Sequence, residues 1–146
     1  MNKSKIEDAV DCFAGGFNCS QAVFSTYAAH MGLDRETALK ISGAFGGGMA
    51  RMGDTCGAVT GALMVIGFKY GKSKAEDDAA KEKSYEVARE FVSQFKERHG
   101  SIVCRELAGC DLNTSEGRQE FEEKQVGKTV CPHLVGEAVE ILERIL

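Results

Sequence analysis

Asp54-Thr55-Cys56-Gly57-Ala58-Val59-Thr60-Gly61-Ala62-Leu63-Met64-Val65-Ile66-Gly67-Phe68-Lys69-Tyr70 reads as one helix with two apolar faces. Cys56, Val59, Leu63, Ile66 and Tyr70 recur at helical spacing on the first face; Gly57, Gly61, Met64 and Phe68 form the second. A helix apolar on one side lies on a surface, whereas one apolar on both sides must be surrounded by others. Asp54 or Thr55 is the expected N-cap and Gly71 the stop. Gly57 and Gly61 would let a neighbouring helix approach closely, at about 1 kcal/mol each in helix propensity. The stretch from Gly57 to Phe68 is also the longest apolar run, and it falls short of the roughly 20 residues that cross a bilayer.

Helical signals continue on both sides of this segment. Upstream, Ser4-Lys5-Ile6-Glu7 has the form of a capping box, and Ile6, Ala9, Val10 and Phe13 share a face before Gly15-Gly16 ends the run. A second helix is expected from Asn18 to His30 with Val23 and Tyr27 inward, and Asp34 should cap a third, Arg35 to Ser42. Gly43 to Gly53 is glycine-rich and reads as irregular. Downstream, Ala75 to His99 is a long amphipathic helix with Ala80, Val87, Ala88, Phe91, Val92 and Phe95 inward and the charges from Glu76 to Lys83 solvated. Ser101 should cap a short helix to Leu107 before Gly109, and Thr114 or Ser115 another to about Gln125. Pro132 suits the first position of a last helix whose inner face is Val135, Val139, Leu142 and Leu146. No run alternates as a strand does. The expected fold is all-α: a compact single-domain helical bundle of about six to eight helices over residues 1–146, with no linker.

Composition narrows the function. A chain of 146 residues can bury a real core without metal or disulfide staples. Its net charge is −4 with no cluster of Lys and Arg, which argues against nucleic acid and against anionic membranes as partners. Met1 to Asp11 is charged and amphipathic rather than a secretory signal. Six cysteines are too few for a disulfide-built scaffold. A cytoplasmic location is therefore expected, where thiols stay reduced unless redox chemistry is their purpose. The apolar content permits a homodimer, although no residue pattern specifies one.

The cysteines divide four against two. Cys19 follows the cap candidate Asn18, Cys56 follows Asp54-Thr55, Cys104 lies three residues after Ser101, and Cys131 directly precedes Pro132. Each is expected in the first turn of a helix, where unpaired N–H groups and the positive end of the dipole favour a thiolate. Cys12 falls late in its helix and Cys110 after a stop glycine, so both read as small core residues. Cys110, six residues after Cys104, is also placed as a candidate resolving partner. No pair has Cys-x-x-Cys spacing, which leaves a thioredoxin-type site unsupported and excludes a short-spaced zinc ribbon. Four dispersed thiolates can converge on an iron–sulfur cluster or zinc, or pair as dithiol/disulfide couples, or hold no cofactor; spacing does not separate these.

Gly46 to Gly53 resembles a phosphate loop only superficially, since Asp54 stands where the lysine belongs. The loop instead reads as backbone that approaches a cysteine site, with Gly46, Gly47, Gly48 and Gly57 as the residues nearest any cofactor and Arg51 placed to lower a nearby thiol. His30 and His99 end helices, where a partial positive charge suits the dipole. His133, two residues from Cys131, is a candidate proton donor or further ligand.

Gly-x-x-Cys-Ser-Gln-Ala-Val at Gly16 to Val23, Phe-Gly-Gly-Gly-Met at Phe45 to Met49 and Cys-Gly-Ala-x-x-Gly at Cys56 to Gly61 resemble the C_GCAxxG_C_C family of redox-active proteins. Cys104, in Cys-Arg-Glu-Leu, and Cys131 fall where the last two family cysteines belong. The resemblance implies that Cys19, Cys56, Cys104 and Cys131 are the family's four, and that Cys12 and Cys110 lie outside its pattern. It also implies association with transporter loci, and similarity to the cluster-bearing part of split-Soret-type cytochromes. The absence of Cys-x-x-Cys-His speaks against covalent haem. Three functions remain open at this point. The first is thiol-based electron handling with an unidentified redox partner, with Cys56 the most activated thiolate and Cys19, Cys104 or Cys131 its disulfide partner. The second is ligation of an iron–sulfur cluster or zinc by all four cysteines. The third is a non-catalytic partner of a membrane transporter encoded nearby, its cysteines serving only the core.

Overall fold

The computed structural model describes residues 4–146, so residues 1–3 of the N-terminal reading lie outside the described residues. The fold is all-α, and among the described residues the only extended pairing is one isolated antiparallel bridge between Thr55 and Val103. The helices are α1 (Lys5–Ala14), α2 (Cys19–His30), α3 (Arg35–Ser42), α4 (Gly57–Tyr70), α5 (Asp78–His99), α6 (Cys104–Ala108), α7 (Ser115–Glu123), α8 (Val126–Thr129) and α9 (Cys131–Ile145), with a 3₁₀ turn at Gly43–Phe45. Among the described residues no helix is long and apolar enough to cross a membrane.

The twin-faced segment is the centre of the bundle. α4 packs against α2, α5 and α9, and its residues from Gly57 to Ala62 are buried without interruption. Its second face stops short of expectation: Phe68 is 46% exposed, because the last turn from Gly67 to Lys69 emerges from the packed helices. α2 is buried from Cys19 to Ala28 apart from Gln21, being enclosed by α1, α3, α4 and α9. Gly61 makes the α2–α4 contact possible, since a Cβ there would lie 2.8 Å from the Ser20 carbonyl oxygen. Val87, Phe91 and Phe95 of α5 and Val135, Val139 and Leu142 of α9 complete the core on the expected faces.

Local chemistry sets most helix starts. The Ser4 hydroxyl accepts from Glu7 N–H and donates to the Glu7 carboxylate, at 3.1 and 3.3 Å. Asn18 and Gln21 form a reciprocal capping box, and Asp34 and Thr114 cap α3 and α7.

Several expected boundaries move. α4 begins at Gly57 rather than after an Asp54 or Thr55 cap: Thr55 is held by the bridge to Val103, and Cys56 N–H donates to the Ile102 carbonyl at 2.7 Å, so this backbone is extended. Val103, not Ser101, is the N-cap of α6; the Ser101 hydroxyl instead accepts from Val103 N–H at 2.9 Å and donates to Glu106. α5 starts at Asp78, capped by Asp77. α7 ends at Glu123, because Gln125 adopts a left-handed φ of 54° and the chain restarts as α8.

Candidate functional site

The four cysteines chosen by position each stand at a helix start. Cys19, Cys104 and Cys131 are the first residues of α2, α6 and α9, and Cys56 is the N-cap of α4. The Thr55–Val103 bridge joins two of these starts. Cys56 N–H donates to Ile102, and Cys104 N–H to the Asp54 carbonyl at 2.5 Å, so the openings of α4 and α6 are held together by backbone. Gly57 seats α4 against the start of α2: a Cβ there would lie 2.9 Å from Ser20 N and 3.1 Å from Cys19 Cβ.

These openings surround one cavity of about 370 Å³, and Cys19, Cys56, Cys104 and Cys131 all line it. All six cysteines are free thiols, and neither Cys12 nor Cys110 reaches this space. Cys12 lines a separate hollow, where its sulfur accepts from Arg35 at 3.9 Å and lies 3.8 Å from the Ser25 hydroxyl. Cys110 is buried and donates to the Ala108 carbonyl at 3.7 Å. Apolar side chains form much of the wall, among them Phe13, Phe17, Leu107, Phe121 and Leu134. Sequence reasoning did not single these out as site residues. The available signal was spacing: Leu107 and Leu134 follow Cys104 and Cys131 by three residues, which shares a helical face.

A family profile described as "Putative redox-active protein (C_GCAxxG_C_C)" matches residues 17–145, a span that takes in all four cavity cysteines. The chain belongs to this family. No curated protein and no solved structure matches it.

The four C_GCAxxG_C_C thiols are electrostatically unequal. Cys131 is the one held below the ordinary thiol value, because its interaction with the neighbouring Cys19 thiol outweighs burial. Cys19 is correspondingly pushed well up, first by that interaction and then by burial. Burial pushes Cys56 up to about 11, and Cys104 to about 12. Burial thus opposes ionisation of Cys56, the thiol expected to be most activated. The N–H groups of Ala58 and Val59 do favour the Cys56 thiolate, although neither closes a cap hydrogen bond. A helix terminus supplies about 0.3–1 kcal/mol, less than one pKa unit, whereas full burial shifts a thiol by up to 3–5 units.

The loop before α4 has an unusual backbone. Gly47, Gly48, Met49, Ala50 and Arg51 all have positive φ, at 67°, 70°, 67°, 51° and 65°. Gly48 is pressed against the site, since a Cβ there would fall 2.6 Å from Cys104 Cβ. Gly47 and Gly57 line the cavity, whereas Gly46 and Gly48 do not, Gly46 being packed on Asn18. Arg51 also lines the cavity, but it is not what lowers the Cys131 thiol.

The histidines stand away from this chemistry. His133 is exposed, 3.4 Å from the Glu137 carboxylate, and does not reach the cavity. His99 does end α5, but burial holds it below the usual imidazole range, and its ring packs on Phe95 at 4.6 Å. Its expected role as a positive cap is thereby weakened, because desolvation opposes the charge. Among the described residues, no group of three or more His, Cys, Asp or Glu side chains is gathered as a metal ion would need.

Proposed function

We propose that Cys19, Cys56, Cys104 and Cys131 form one thiol redox site that exchanges electron pairs with disulfides, Cys131 attacking and Cys19 resolving. The observation that carries this reading is the shared cavity, in which the Cys19 and Cys131 thiols are coupled, one raised and the other lowered. The Cys131 thiolate bonds to one sulfur of a disulfide, and the other sulfur leaves as a thiolate. Cys19 gives up its proton, attacks the Cys131 sulfur of the mixed disulfide and expels the second thiolate. The disulfide gains two electrons and the protein dithiol loses two; Cys19 supplies one proton to the two product thiols and solvent supplies the other. Cys56 and Cys104 stay protonated at neutral pH and supply a second dithiol in the same space.

The test begins with protein purified without oxygen, reduced and given one equivalent of a small disulfide. Acid trapping, alkylation and peptide mapping should find Cys19 joined to Cys131, with Cys56 and Cys104 alkylated. Random pairing, or no protein disulfide, would overturn the assignment. Iron and sulfide, or zinc, in stoichiometric amount and lost on changing any one of the four cysteines to serine would replace it with the ligand reading.

A further inference from the structure

The cavity combines a thiol set and an apolar wall with an exposed cation, Arg51. Arg51 lines it, and among the described residues its guanidinium has no ion-pair or hydrogen-bond partner. Arg118, also on the lining, is committed: it donates to the Leu112 carbonyl at 2.9 Å and to the Ser115 hydroxyl at 3.4 Å. Arg51 is held where it is by an expensive backbone. Three consecutive non-glycine residues, Met49, Ala50 and Arg51, are left-handed, which disfavours each by roughly 1–2 kcal/mol. The Arg51 N–H donates to the Gly46 carbonyl at 3.1 Å, and its side chain crosses Gly47 so closely that a Cβ there would lie 2.9 Å from Arg51 Cγ. Backbone strain of this kind is retained where the position of a group matters.

We infer that the cavity takes a small organic disulfide whose ring-sized apolar body packs against Phe13, Phe17 and Phe121 and whose carboxylate pairs with Arg51. The volume suits a small molecule. The planar guanidinium suits a carboxylate, which it can hold through two parallel hydrogen bonds. Glu122, on the same lining, disfavours a second negative group near it and so restricts where the anion can sit. This inference rests on the thiol reading above: Cys131 and Cys19 are oxidised to a disulfide while the ligand is reduced to two thiols.

The test is single-turnover reduction, by the fully reduced protein, of two aromatic disulfides: dithiobis(nitrobenzoate), which is anionic, and dithiodipyridine, which is neutral. Each rate is divided by that of a free small thiol with the same reagent, which removes the intrinsic reactivity of the probe. The chain's net charge of −4 opposes the anion, so a preference for it must be local. The expected normalised preference is about tenfold for the anionic probe, lost in Arg51→Met and partly kept in Arg51→Lys. Thermal melts of both variants check that the fold survives. If both probes produce the Cys19–Cys131 disulfide but Arg51→Met leaves the ratio unaltered, the ligand inference fails and the thiol reading stands. If neither probe produces that disulfide, the thiol reading fails, and this inference with it.

Discussion

Cys19, the first residue of α2, and Cys131, the first residue of α9, line the same cavity, and the coupling between their thiols raises one and lowers the other. The two residues are remote in sequence, and their helices meet in the core. Ionisation is thereby disfavoured at the more buried sulfur and favoured at the other. The asymmetry belongs to the pair: neither helix start alone would distinguish them.

Alkylation should reveal that asymmetry directly. With limiting iodoacetamide near neutral pH, Cys131 is expected to react at least about tenfold faster than Cys56 or Cys104, as its lower pKa leaves more thiolate. Quantitative mass spectrometry of the six cysteine peptides reads the order. Cys56 reacting first would restore the ranking expected from helix position alone.

Cys19→Ala removes that interaction and leaves burial to act on Cys131 unopposed. The midpoint of the Cys131 alkylation rate against pH should move upward, with the neutral-pH rate falling. An unchanged pH profile in a variant that still melts cooperatively would show that Cys19 does not tune Cys131.

Two glycines of α4 should respond oppositely to alanine. At Gly61 a Cβ would meet backbone of Ser20, its carbonyl oxygen at 2.8 Å and its Cα at 3.1 Å, so Gly61→Ala should destabilise by about 1–3 kcal/mol. At Gly67 a Cβ would meet nothing within 4 Å, and Gly67→Ala should stabilise by about 0.5–1 kcal/mol through helix propensity. Urea unfolding of both variants measures the difference, and equal midpoints would contradict the close α2–α4 approach.

Stability should fall on the alkaline side. Burial raises Cys56 from the ordinary 9.0 to about 11, so between those values the folded chain keeps a proton that the unfolded chain has lost. The contribution is fully present below pH 9 and lost as pH rises through 11, on the order of 3 kcal/mol in all. Urea midpoints across that window should decline less steeply in Cys56→Ala than in the parent chain. Parallel declines would mean that other groups carry the alkaline loss.

Most of the fold was legible locally. Asp34 caps α3, Gly100 ends α5 in a left-handed turn, and the spacing of Val135, Val139 and Leu142 places the inner face of α9. These signals act within one or two helical turns, so sequence neighbours suffice to read them. The α4 start was misread for the opposite reason: Thr55 is claimed by Val103, a residue far along the chain, and extended pairing overrides a cap that Asp54 or Thr55 could otherwise supply. The left-handed run from Gly47 to Arg51 was also hidden, since Met49, Ala50 and Arg51 carry no preference for it.

Sequence alone was enough to place Cys19, Cys56, Cys104 and Cys131 at helix starts, because helix periodicity is a property of short stretches. Only the tertiary structure decided that Cys19, Cys56, Cys104 and Cys131 line one cavity while Cys12 and Cys110 do not. It also set which thiols are raised and which is lowered. Desolvation depends on what packs around a sulfur and coupling on which second sulfur lies beside it, and both are set by helices distant in the chain.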